Sequence, residues 1–456
     1  MEIQNKKLII IGSGASGIGA AKLAVSKKAV VSIYDKKSLG QHEQKEKQEL
    51  ENLKSIGVKM LLGVDILNDI TGYDLIIKSP GVPMDLPFIV HAKENGVDLI
   101  GEFEFASRYC KANIAAITGT NGKTTTTSLV GNITKAYNSD TYIVGNIGRP
   151  FSEDVNHIKQ DSAVIAEVSS FQLESSVTFH PTISSVLNIE PDHLNRHSTM
   201  ENYIDIKERI FKNQTPQDFT VLNYDDPNCK LMGVKSKAQV IWFSTIKKMT
   251  PGVYVEDGRI IEHIGSEPHI ICHINDLKIL GGHNVENALA AVAITSIMGI
   301  PVATIKEELT AFKGVAHRIE YVGTKKGVDF FNDSKATNPD AAIKGLLAMN
   351  KKVRLIVGGL DKDIDFTKWI KLFHGIVERA YVIGETKKQF KETFMAEGFE
   401  EYKECETFEE AVHSAYEDSK EGECVLLSPG CASWDMFKNF EERGDLFKEI
   451  FHSLKE

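Results

Sequence analysis

The chain has 456 residues, about three times a ~150-residue domain, so length alone points to three domains with ample chain for real cores. A formal net charge of −10, from 53 Lys+Arg against 63 Asp+Glu with no Lys/Arg block, argues against a protein that grips nucleic acid through its phosphates, while leaving local anion sites open. Six scattered cysteines without a C-x-x-C pair argue against a disulfide framework or a zinc cage and place the chain in a reducing cytoplasm.

The first residues run straight into an apolar strand, Leu8–Ile11, with no export signal. A glycine turn follows, Gly12-Ser13-Gly14-Ala15-Ser16-Gly17, then a helix to Ser26 and a second strand, Val30–Tyr34, ending in Asp35. This is a βαβ opening whose turn approaches a ligand's phosphates. Its G-x-G-x-x-G spacing with a following acid keeps a nicotinamide cofactor open. Residues 41–50, crowded with Lys, Glu and Gln, read as a solvated helical face. Strand-like runs at Leu75–Ile77 and Asp98–Ile100 continue the α/β alternation to a boundary near residue 110.

A new strand, Ile114–Ile117, leads into Thr118-Gly119-Thr120-Asn121-Gly122-Lys123-Thr124-Thr125-Thr126. Backbone N–H groups of such a loop cradle a polyphosphate, Lys123 reaches its outer phosphates, and the Thr124 hydroxyl ligates Mg2+. The spacing is shorter than G-x-x-x-x-G-K-[ST], with Ile117 in the place of the first glycine. Glu167 ends the strand Ala163–Glu167, and Asp192-His193 follow the strand Ser184–Asn188; acids and imidazoles at these strand ends suit metal or phosphate duty. The apolar stretch Ala288–Ile300, interrupted by Thr295 and Ser296, is shorter than the ~20 residues of a membrane span and reads as a core helix. A third α/β unit opens after Gly314, with strands at Arg354–Val357, Arg379–Ile383 and Cys424–Leu427.

Thr118–Thr126, the Glu167 strand, Asp192-His193, Gly282–Ala288 and His317-Arg318-Ile319-Glu320, in that order, resemble the motifs of the Mur ligases, the ATP-dependent amide-bond ligases of peptidoglycan precursor synthesis. The resemblance covers essentially the whole chain. It implies three α/β domains: a Rossmann-like uridine-nucleotide domain (1-110), a central P-loop-type ATPase domain with a mostly parallel sheet (111-316), and a Rossmann-like amino-acid domain (317-456). In the family a substrate carboxylate attacks the γ-phosphate of ATP, and an amine then attacks the acyl phosphate through a tetrahedral intermediate. Charge around the moving phosphoryl group must be neutralised and water excluded.

Carried over residue by residue, the resemblance implies Gly119, Thr120, Asn121, Gly122, Lys123, Thr124, Thr125, Asn284, Asn287, Arg318 and Asp333 for ATP. Two Mg2+ ions are implied, with Thr124, Glu167, His193 and a CO2-derived carbamate on Lys207 as ligands. Lys207 is singled out by the resemblance alone, since by itself it is one more lysine on an amphipathic helix. Lys123, Glu167, His193 and Lys207 are the implied catalytic set. Ala15, Ser16, Asp35, Ser79, Gly81, Asn146, Ser169 and His193 are implied for a UDP-N-acetylmuramoyl-L-alanine substrate, which turns the opening glycine motif into a nucleotide-sugar site without a redox cofactor.

The stretches Asn332–Asn338, Gly358–Lys362 and Leu427–Phe440 resemble the branch that adds D-glutamate, implying Lys335, Thr337, Lys362, Ser433 and Phe440 for that acid. Lys36 and Lys37 depart from the small hydroxyl residue and Arg often found there, and Trp434 is bulky beside the glutamate positions. A sister Mur ligase or a folylpolyglutamate synthase is the alternative within the class; an oxidoreductase resting on Gly12–Gly17 would leave Lys123, Glu167 and Asp333 without roles. The partners expected are small molecules, with no nucleic acid, no membrane insertion and a monomeric state.

Overall fold

The computed structural model describes residues 1–64, 70–279, 281–360 and 364–455. They form two compact units, Met1–Ile274 with Val285–Leu309, and Asn275–Asn284 with Thr310–Glu456. The boundary expected near residue 110 falls inside the first unit, which holds two sheets.

The first sheet is all parallel, in the order β3-β2-β1-β4-β5, from β1 (Lys7–Ile11), β2 (Val30–Asp35), β3 (Lys59–Leu62), β4 (Leu75–Lys78) and β5 (Asp98–Gly101). Both faces of β1 are covered, because alternate residues feed different cores: Leu8 and Ile10 join one cluster, Ile9 and Ile11 another. This is why the strand reads as a continuous apolar run. The order reverses between β1 and β4, and ligands of open α/β sheets bind at that edge.

The second sheet has nine strands, ordered β14-β13-β12-β11-β10-β9-β6-β8-β7. They are β6 (Ile114–Thr118), β7 (Thr141–Gly145), β8 (Ala163–Glu167), β9 (Ile183–Val186), β10 (Phe219–Asn223), β11 (Gln239–Ser244), β12 (Gly252–Glu256), β13 (Arg259–His263) and β14 (His269–His273). Only the last two pairings are antiparallel. The expected core helix runs Gly282–Ile297, with Ala288–Ile294 fully buried. The polar segment after residue 41 forms a helix, Gln44–Ser55, that turns Leu50 and Leu53 inward, while His42 before it is buried.

In the second unit the sheet is ordered β15-β16-β20-β17-β18-β19, parallel except for the β15/β16 hairpin. Its strands are β15 (Glu320–Lys325), β16 (Val328–Asn332), β17 (Val353–Gly358), β18 (Val377–Ile383), β19 (Tyr402–Glu404) and β20 (Cys424–Leu427). Phe331, Leu355, Val382 and Leu426 face one core and Phe330, Ile356, Tyr381 and Leu427 the other. Among the described residues no helix is long and apolar enough to cross a membrane.

Candidate active site

The phosphate-type loop leaves the C-terminal end of β6, a strand buried along its whole length. Gly119 and Gly122 take positive φ, 151° and 82°. A Cβ at Gly122 would meet Asn287 Oδ1 at 2.1 Å, so both its backbone and its packing require glycine. The helix Lys123–Tyr137 starts immediately after, giving the loop a helix N-terminus with its unpaired N–H groups. Lys123 Nζ folds back on the carbonyls of Gly119 and Thr120 at 2.9 and 2.8 Å. Thr124, Thr125 and Thr126 are buried, and Thr126 donates to Asn287 Oδ1.

Lys207, on the helix Met200–Glu208, is 1% exposed. It is no solvated surface charge. Its Nζ donates to the Gly119 carbonyl at 2.8 Å and to Thr118 Oγ1 at 3.3 Å, 4.9 Å from the Tyr203 ring centre. Burial, then the charge of Lys123, holds its pKa well below the usual lysine value, against the pull of Asp192 and Glu167. A neutral amine is the form that attacks CO2.

Glu167 ends β8, paired in register with Ile117 of β6. Its Oε1 accepts from Asn146 Nδ2 at 2.7 Å, whereas Oε2 is buried without a hydrogen-bond partner. An orphaned carboxylate oxygen beside a phosphate loop fits a Mg2+ ligand. His193, in a left-handed conformation with φ 50°, is half exposed; its ring lies 4.8 Å from that of Phe171 and its Nε2 3.5 Å from Asp192 Oδ2. Among the described residues no three His, Cys, Asp or Glu side chains gather as a metal cluster. The donors thus fit the ion in part: Glu167 and the Thr124 hydroxyl suit it, and an ammonium at Lys207 would repel it where a carbamate would not.

At the edge of the first sheet, Gly12 and Gly17 close on each other, and a Cβ at Gly17 would lie 1.8 Å from the Gly12 carbonyl oxygen. Ala15 and Ser16 open the helix Ala15–Ser26 and reach solvent. Asp35 Oδ2 accepts from the Ser13 N–H and Oγ at 2.8 and 2.6 Å, and Oδ1 from the Lys37 N–H at 3.0 Å. Burial raises the pKa of this carboxyl, but those bonds outweigh it and hold it below the ordinary value. Ser79 Oγ is buried without a partner next to Gly12. The Gly81 carbonyl accepts from Arg196. Ser169 caps a short helix reciprocally with Gln172.

In the second unit Asp333 follows β16 and is 4% exposed. Its oxygens accept from the Ile319 N–H at 3.2 Å and Ser428 Oγ at 2.9 Å. Burial raises its pKa to about 7 despite those bonds and the charge of Arg318, an exposed side chain. Lys335 Nζ lies 5.6 Å from the Phe440 ring centre. Ser433 is buried, Thr337 is half-buried, and Asn284 is buried on its helix. Lys362 lies outside the described residues.

The Mur ligase middle domain matches residues 117–295, the Mur ligase glutamate ligase domain residues 317–431, and the MurD-like N-terminal domain residues 6–101. A UDP-N-acetylmuramoylalanine--D-glutamate ligase of Thermoanaerobacter sp. (strain X514) is 46% identical over all of both chains, and one of Lachnoclostridium phytofermentans 43% identical over all of both. The chain belongs to the Mur ligase family. Its fold is shared with the UDP-N-acetylmuramate-alanine ligase MurC of Thermotoga maritima, with a TM-score of 0.59 at 20% identity, covering 99% of this chain and 100% of that one.

Within this Mur ligase, the first unit brings the loop 118–126, Lys207, Glu167, Asn146 and Asn287 to one sheet edge. The second gathers Asp333, Lys335, Ser433 and Phe440 beyond the ends of β16 and β20. Sequence reasoning missed Arg443, which is 1% exposed and donates to Ser334 Oγ and to the carbonyls of Ser334 and Cys431. Burial lowers its pKa to about 10. It also missed Asn188 and Glu190, which fix Asn121 through its N–H and its amide at 2.8 and 2.6 Å. One arginine in a charged helix carries no local signal, but Asn188 and Glu190 flank the Asp192-His193 motif and were within its reach.

Proposed function

We propose that this chain joins D-glutamate to UDP-N-acetylmuramoyl-L-alanine at the expense of ATP, for peptidoglycan precursor synthesis. The observation that carries it is the full-length match, at 42–46% identity, to ligases named for that reaction. The residues assigned are Ala15, Ser16, Asp35, Ser79 and Gly81 for the uridine nucleotide, 119–125 with Asn284, Asn287, Arg318 and Asp333 for ATP, and Lys335, Thr337, Lys362, Ser433 and Phe440 for D-glutamate.

The loop N–H groups and Lys123 hold the ATP phosphates, and Lys123 exchanges its carbonyl contacts for phosphate oxygens as charge builds there. Arg318 offers a guanidinium suited to two phosphate oxygens at once. Mg2+ held by Thr124, Glu167, His193 and carboxylated Lys207 would supply further charge neutralisation. Asn146 keeps Glu167 aimed by occupying its other oxygen. Lys335 meets a carboxylate of the incoming amino acid, with Thr337 and Ser433 replacing lost hydration.

Phosphate release from ATP by the purified protein tests the reading. It should require both UDP-N-acetylmuramoyl-L-alanine and D-glutamate; equal turnover with L-glutamate or meso-diaminopimelate would refute the acceptor assignment.

A further inference from the structure

Lys78, the last residue of β4, is fully buried, and its Nζ donates to the carbonyls of Ser79, Pro80 and Val82 at 3.4, 3.4 and 3.0 Å. Arg196, three residues beyond His193 on the short helix Leu194–His197, reaches the same turn. Its Nη2 donates to the Pro80 and Val82 carbonyls at 3.3 and 2.9 Å and its Nη1 to that of Gly81 at 3.2 Å. Glu174 holds both cations, accepting from Lys78 at 3.1 Å and from Arg196 through Nε at 3.1 Å and through Nη2. Glu174 closes the short helix capped by Ser169. The arginine is further pinned over the Phe171 ring, 4.4 Å from its centre.

Every carbonyl from Ser79 to Val82 is therefore turned toward a cation. The Ser79 N–H is tied to the Ile11 carbonyl at the glycine turn, leaving Ser79 Oγ beside Gly12. Two cations against one carboxylate also leave a net positive charge beneath the turn, which favours an anionic ligand above it. A buried ion network of this kind adds little net stability compared with apolar packing, but removing one member is costly and its geometry is specific.

We propose that Arg196 is a positioning residue for the uridine-nucleotide substrate: with Lys78, on the shared Glu174, it fixes the Ser79–Val82 turn in its ligand-holding shape and ties it to the segment that carries His193. This rests on the assignment of the uridine nucleotide to that turn. Arg196 touches neither substrate nor metal and acts through the carbonyls alone.

The test is Arg196→Gln beside Arg209→Gln. Arg209 lines the same cavity of about 970 Å³ but donates only to the Leu173 and Glu174 carbonyls. Arg196→Gln should raise the KM for UDP-N-acetylmuramoyl-L-alanine by about tenfold or more while the KM for ATP stays within about twofold. Arg196→Lys should recover thermal stability but not that KM, because an ammonium lacks the planar fork with which the guanidinium bonds the Gly81 carbonyl through Nη1, the Pro80 and Val82 carbonyls through Nη2 and Glu174 through Nε. Arg209→Gln should lower stability without splitting the two KM values. If Arg196→Gln fails to fold, Lys78→Met carries the same prediction. Equilibrium binding of the uridine nucleotide to the unmodified enzyme is measured alongside. No binding there would overturn the functional reading, whereas tight binding that survives Arg196→Gln unchanged, or equal rises in both KM values, would overturn the role of Arg196.

Discussion

Asp333→Asn isolates a carboxylate that the fold holds at a cost. Burial lifts its pKa from the ordinary 3.8 to about 7, a gap of roughly 4 kcal/mol at about 1.4 kcal/mol per unit. Because the folded value is raised, the protonated acid is the form the fold prefers. Its stability is fully present below the unfolded value and is lost as pH rises through about 7. Asparagine is uncharged at every pH and keeps an acceptor for the Ile319 N–H. The stability of Asp333→Asn relative to the parent should therefore grow by about 3 kcal/mol between about pH 4.5 and pH 8.5. For a unit of this size that is roughly a 6–12 °C change in the Tm difference. Thermal unfolding followed across that range, without ligands, reads it directly. A difference that stays the same at both ends would show that Asp333 titrates in the fold as it does in the unfolded chain, and the argument for a carboxylate held at a cost for ligand binding would fall.

Gly17→Ala should cost about 1–3 kcal/mol and abolish uridine-nucleotide binding measured by calorimetric titration, since its Cβ would strike the Gly12 carbonyl; Gly72→Ala, with nothing within 4 Å, should be silent in that titration. Lys207→Ala should lose at least ~100-fold in turnover and regain part of it with added short-chain carboxylates; full unassisted activity would sink the carbamate. Glu167→Gln keeps the shape and the contact with Asn146 but halves the ionic character of the site. The Mg2+ concentration for half-maximal activity should rise by about 10–100-fold, and an unchanged titration curve would remove Glu167 from the metal site.

The parallel strands were legible because burial on both faces writes continuous apolar runs: Leu8–Ile11, Ile114–Ile117 and Cys424–Leu427 all lie within observed strands. The antiparallel extension at β12–β14 was not called, although Asp257-Gly258 between β12 and β13 is a hairpin signal, with φ of 48° and 72°. The loop 118–126 and Glu167 were visible from local spacing. Lys207 was not, because its meaning lies in burial against Gly119, 88 residues away in sequence. Arg196, Glu174 and Lys78 lie on three separate segments, and Arg443 bonds Ser334 from 109 residues away; no local pattern encodes such distances.

The helix Glu102–Ser107 has a practical consequence for anyone dissecting the gene. It belongs to the first 110 residues, yet Phe103 packs on Phe151 and Phe179. The Glu102 carboxylate, fully buried, finds its donors on Ser152, and Glu104 accepts from Thr178. An expression fragment ending near residue 110 would carry Glu102 without the Ser152 donors, Glu104 without Thr178 though still paired with Arg108, and bare aromatic faces beside them. It should be recovered from inclusion bodies, whereas a cut after Leu309 leaves that helix with its partners.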